Sequence, residues 1–87
     1  MQLRTWRKQQ DMSVERLAEL LGNRTPRTVL RLENGENGAD ADMVARIEVL
    51  SDGAVTAQDM HETRLAWLRA NRPERFKDAR PQPEAAE

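Results

Sequence analysis

Along the first 71 residues, apolar side chains recur three and four apart in short blocks separated by polar turns. That is the period of helices with one buried face, and no alternating run of β-branched residues competes with it. The blocks predict five helices. The first covers about Gln2 to Gln10, with Leu3 and Trp6 turned to the core and Asp11 ending it. The second runs from Val14 to Leu21 on Leu17, Ala18, Leu20 and Leu21, and the third from Pro26 to Asn34 on Val29 and Leu32. A fourth follows a cap at Asp40 or Asp42, repeats through Met43, Ile47 and Leu50, and stops at Gly53. A fifth starts after Thr56 and continues through Met60, Leu65, Trp67 and Leu68 to about Asn71, ahead of Pro73.

The punctuation between the second and third blocks is dense. Ser13 is an N-cap candidate, and Gly22 can close a helix in the left-handed conformation. Thr25 can then cap the next helix. Pro26 suits its first position, where an N–H would lack a partner, and Gly35 suits its exit. Two short amphipathic helices joined by a tight turn have the shape of a helix-turn-helix reader of DNA. Two Asn-Gly steps, Asn34-Gly35 and Asn37-Gly38, mark a loop up to Asp40, and Thr56 with Asp59 three residues on reads as a capping box.

From Arg72 onward the sequence RPERFKDARPQPEAAE holds three prolines and one large apolar residue, Phe76. It cannot bury enough surface to offset the entropy of ordering, so a flexible tail is expected over 72–87, or a linker to a further domain. The remaining 1–71 make one small domain. With 87 residues, 38% of them hydrophobic and three aromatic, the core must be mostly aliphatic.

No cysteine is present, which excludes disulfide frameworks and cysteine zinc sites. No apolar stretch approaches a membrane span, and no secretory h-region follows the N-terminus, so the expected address is a bacterial-type or other intracellular cytoplasm. One histidine and two serines offer no nucleophile, base and orienting group, so no enzyme is expected and no cofactor or metal is called for. His61, between Asp59 and Glu62, lacks metal-ligand spacing on one helical face. The loop from Glu33 to Asp42 lacks the alternating oxygen ligands of a calcium loop.

The formal net charge is −1, but it is segregated: seven Arg/Lys face four Asp/Glu over residues 1–35, one faces seven over 36–62, and six face two over 63–80. A basic face for a nucleic acid on a nearly neutral protein would have this form. Complementation of helix dipoles would produce it too.

Leu3, Trp6, Arg7, Met12-Ser13, Leu17-Ala18, Leu21-Gly22, Thr28-Val29, Arg31-Leu32 and Glu33-Asn34-Gly35 together resemble the Cro/C1-type (XRE) helix-turn-helix family over residues 1 to about 60. Gly53-Ala54-Val55-Thr56 with Asp59 is similar to the end of small Cro-like and YdaS-like members. The resemblance implies an all-α, five-helix, lambda-repressor-like DNA-binding domain whose third helix lies in the major groove of double-stranded DNA, acting as a transcriptional regulator. Its base-reading positions fall on Pro26, Arg27, Thr28 and Arg31, and its paired arginine and glutamate on Arg7 and Glu33.

Three departures modify that picture. The turn Gly22-Asn23-Arg24-Thr25 is one residue longer than usual, Val14 replaces a glutamine that often bonds phosphate, and the loop Glu36 to Asp40 is acidic where the family is often basic. Phosphate contacts are therefore sought at Arg24, Thr25, Arg16 and Lys8, with Arg4 a further candidate. Arg64, Arg69, Arg72, Arg75 and Lys77 form either a solvated basic surface and tail or a DNA-contacting arm. Leu65, Trp67 and Leu68 either close a homodimer or fold back on their own core. A protein-interaction module, such as an antitoxin or a polymerase-contacting partner using the fourth and fifth helices, is the alternative reading, and transcription machinery is the further partner it implies.

Overall fold

The computed structural model describes residues 1–78. Helices α1 (Leu3–Gln9), α2 (Val14–Leu20), α3 (Pro26–Asn34), α4 (Ala41–Leu50) and α5 (Ala57–Asn71) follow in order, with a short α6 (Glu74–Asp78) after them. No strand occurs among the described residues.

The helix starts are fixed by local side-chain chemistry. Ser13 Oγ accepts from the Arg16 amide at 3.0 Å, Thr25 Oγ1 from Thr28 at 3.2 Å, and Asp40 Oδ1 from Met43 at 2.8 Å. Asp40, rather than Asp42, is therefore the cap of α4. Thr56 and Asp59 exchange hydrogen bonds in a full capping box at 3.1 and 3.0 Å. Each such cap contributes about 1 kcal/mol to its helix.

The turn between α2 and α3 absorbs its extra residue by placing two successive residues, Gly22 and Asn23, at φ of +96° and +60°. The Arg24 amide then reaches back to the Ala18 carbonyl at 2.9 Å, which closes the turn on α2.

Leu3 and Trp6 of α1, Leu17 and Ala18 of α2, Leu21, Val29 and Leu32 of α3, Met43 and Ile47 of α4, and Val55 and Met60 make one buried core. Fully burying a branched aliphatic side chain is worth about 1.5–3 kcal/mol, so this mostly aliphatic cluster, not intrinsic helix propensity, holds the short helices. α2 packs on α3, and α5 packs on both α3 and α4.

The five expected helices are thus present, and the expected tail is helical over its first part. In α6 the Phe76 ring lies 5.3 Å from the Arg69 guanidinium carbon of α5. Residues 79–87 of the expected tail lie outside the described residues.

Candidate nucleic-acid interface

Helix α3 turns Val29, Leu32 and Glu33 inward, all buried. At about 100° per residue, the opposite side is formed by Arg27, Leu30, Arg31 and Asn34. Arg27 is exposed, Arg31 is half-buried, and Leu30 keeps 42% of its surface. Leu30 is not among the site residues expected from the sequence, because nothing in its residue type marks it for an exposed face.

The N-terminal end of α3 is open. Pro26 has no N–H, the Thr28 amide is taken by Thr25 Oγ1, and the Val29 amide by the Thr25 carbonyl at 3.3 Å. The Arg27 amide is left without a partner among the described residues, on the positive end of the helix dipole. Thr25 and Thr28 share a hydroxyl hydrogen bond of 2.9 Å, so the Thr28 hydroxyl is engaged and its methyl is what remains. Arg24 and Thr28 border a depression of about 130 Å³ whose far wall includes Asn37 and Asp40.

Behind α3, Arg7 holds Glu33 with Nε–Oε2 at 2.5 Å and Nη2–Oε1 at 3.2 Å, and Arg7 Nη1 also donates to the Met12 carbonyl at 3.0 Å. The Glu33 side chain is fully buried and that of Arg7 is 11% exposed. Donating to the Glu33 carboxylate pushes the Arg7 pKa above its ordinary value against the opposing effect of burial. Removing one partner of such a buried pair costs about 3–5 kcal/mol, because the other is left as an uncompensated charge.

The phosphate candidates separate. Arg24 and Thr25 stand beside the open end of α3. Arg16 is exposed and bridged to Glu19 at 3.1 Å, and Lys8 is exposed on α1. Arg4 is drawn to the rear of α3, 3.6 Å from Glu33 and hydrogen-bonded to the Asn34 side chain. Arg31 Nε lies 4.0 Å from the Glu36 carboxylate, with side chains 38% and 48% exposed, a pair worth at most about 1 kcal/mol.

Leu65, Trp67 and Leu68 are half-buried on α5. A Cβ built at Gly35 would stand 3.0 Å from Trp67 Cβ, so this tryptophan packs against the exit of α3. Arg64 meets neither expectation for it: it is half-buried, and its guanidinium hydrogen-bonds to backbone carbonyls of Gly35 and Glu36. The apolar surface left open lies elsewhere, where Val49, 82% exposed, adjoins Leu20, Ala45 and Leu50.

The helix-turn-helix family model matches residues 3–50, from the first residue of α1 to the last of α4. The chain belongs to the Cro/C1-type (XRE) helix-turn-helix family. No curated protein and no solved structure matches it. Membership of this DNA-binding, generally non-enzymatic family gives α2, the turn and α3 their function as a DNA-binding helix-turn-helix. Among the described residues of this helix-turn-helix protein, no group of three or more His, Cys, Asp or Glu could hold a metal, and no helix is long and apolar enough to cross a membrane.

Proposed function

We propose that residues 1–71 form a sequence-specific reader of double-stranded DNA that inserts α3 into the major groove and acts as a transcriptional regulator in the cytoplasm. The observation that carries this reading is the division of α3: its inner side is buried and ion-paired, while Arg27, Leu30 and Arg31 face solvent on the outer side.

Arg27 and Arg31, one turn apart, each suit a guanine, whose O6 and N7 accept two hydrogen bonds from a guanidinium. Leu30 and the Thr28 methyl suit thymine methyl groups, and Pro26 contributes shape at the opening of the helix. The Arg27 amide, Thr25 and Arg24 suit a phosphate at the helix N-terminus, with Arg16 and Lys8 supplying flanking charge. A single such reading surface is small, so a homodimer on a palindrome is the form expected to bind with useful affinity.

Selection from a random duplex pool tests this reading at two salt concentrations. The expected result is a palindrome with half-site centres about one helical turn apart, guanine in each half-site, and affinity that falls steeply with salt. Selection of no sequence, with no salt-sensitive binding, overturns it.

A second reading, as a protein-interaction module working through α4 and α5, is favoured by Val49. An 82% exposed valine beside Leu20, Ala45 and Leu50 is apolar surface that Arg27 and Arg31 do not serve. Val49→Asp should leave DNA binding intact and remove partner contact if that surface is used.

A further inference from the structure

The exit of α3 is built against α5 at atomic contact. At Gly35, φ is +86°, and a Cβ there would stand 2.3 Å from the Thr63 carbonyl oxygen. The Arg64 guanidinium lies over this junction. Its Nη1 donates to the Gly35 carbonyl at 2.9 Å and also to the Glu36 carbonyl, and its Cζ lies 5.4 Å from the centre of the Trp67 ring. Two backbone acceptors on one side and an aromatic face on another fix the plane of the guanidinium.

The backbone held in this way leads directly to the reading surface. The amides of Gly35, Glu36 and Asn37 all return to the Arg31 carbonyl, at 3.0, 3.0 and 3.4 Å. The Glu36 side chain then brings its carboxylate to within 4.0 Å of Arg31 Nε. A carboxylate on the Nε side leaves both terminal nitrogens of Arg31 free, and these are the two that approach guanine O6 and N7 end-on.

We propose that Arg64 is a positioning residue for base recognition: it fixes the Gly35-Glu36 backbone so that Glu36 flanks Arg31 and directs the Arg31 terminal nitrogens into the groove. This rests on the assignment of Arg31 as a base reader. Lysine is a poor substitute for Arg64: one nitrogen, Nη1, serves both carbonyls while the planar guanidinium lies against the Trp67 ring, and an ammonium that reached the carbonyls would have no flat face to set on the indole.

The test uses the full chain with Arg64→Lys, Arg64→Ala and Glu36→Gln, alone and combined with Arg31→Ala, each at temperatures well below its melting transition. Binding is measured to the selected duplex, to one with the Arg31-contacted guanine replaced, and to a random duplex over a range of salt. Amide exchange is followed in the DNA-free protein. Both Arg64 variants should lose about 3- to 5-fold of the discrimination at that guanine, and Glu36→Gln should lose a comparable part. Random-duplex affinity and the salt slope should not change in the Arg64 variants, whereas Glu36→Gln, which removes a negative charge beside the DNA, should raise random-duplex affinity slightly; no variant should lose further discrimination once Arg31 is alanine. Exchange at Glu36 and Asn37 should quicken by roughly tenfold in both Arg64 variants.

Full discrimination in Arg64→Lys, with a salt slope about one ion smaller in Arg64→Ala, would show a phosphate contact instead and overturn the proposal. Full discrimination in Glu36→Gln overturns the route through Glu36. Unchanged exchange overturns the clamp even where DNA is read normally. Absence of any sequence selection by the unmodified chain removes the base-reading assignment and the positioning role with it, while the exchange measurement still reports whether the clamp exists.

Discussion

The two ends of α3 are built on opposite plans. The N-terminal end is solvated: a threonine cap, a proline without an N–H, an unpartnered Arg27 amide and an exposed Arg27 side chain. The C-terminal end is held on three sides, by Arg7 through Glu33, by Thr63 and Trp67 against Gly35, and by Arg64 on the carbonyls that follow. A helix that must enter a groove needs one free end and one face without packing. It also needs enough fixed contacts elsewhere to keep its side chains in register with the bases.

The contrast breaks most severely at Arg7. Arg7→Met removes both hydrogen bonds to the buried Glu33 carboxylate, leaving it only the more distant Arg4 at 3.6 Å, and should cost about 3 kcal/mol in urea denaturation. A cost below about 1 kcal/mol would mean that the rear of α3 is not the held side. Gly35→Ala should follow at about 3 kcal/mol, from left-handed strain together with the contact a Cβ makes with the Thr63 carbonyl, read as a lowered midpoint of thermal unfolding.

At the open end the effects move from stability to recognition. Arg27→Ala and Arg31→Ala should each leave stability within about 0.5 kcal/mol and lose roughly 1–3 kcal/mol of discrimination at one base pair. Thr25→Ala, which removes the cap, should cost about 1 kcal/mol of stability by denaturant titration.

The smallest effect lies away from both ends. The Asp59 carboxyl is held below the usual carboxylate range, first by the Met1 ammonium at 2.8 Å and next by the Thr56 amide. A value depressed by folding gives stability that is complete above the unfolded value near 4 and is lost as pH falls through the folded one. Asp59→Asn should therefore flatten the acid side of the stability profile below about pH 4, with DNA binding at neutral pH unchanged.

The helix boundaries were legible because their determinants are local. Ser13, Thr25 and Thr56 cap the helices they precede, and Gly22, Gly35 and Gly53 take positive φ where each helix gives way to a turn. The Arg7 and Glu33 pair was legible only through family resemblance, since nothing in the spacing of residues 26 apart requires a contact. Arg64 was not legible at all. Its partners are backbone carbonyls 28 and 29 positions away, and a carbonyl carries no residue identity. Leu30 is not singled out by the sequence and Phe76 is assigned to a flexible tail, because whether an apolar side chain is left open or finds a partner is set by tertiary packing that its residue type does not encode.

On the proposed reading, α3 is fastened at and beyond Gly35, and within the small play that its packed inner face allows, its N-terminal half acts as a lever. Arg27 lies eight residues from the pivot, about 12 Å along the helix axis, so a rotation of about 5° there displaces its Cα by about 1 Å. Arg31, half as far out, moves half as much. The same small motion thus leaves the inner arginine within the tolerance of a two-bond guanine contact and carries the outer one to its limit. The outer base pair of each half-site should accordingly accept substitutions more readily than the inner one, a gradation of stringency along the operator set by leverage alone.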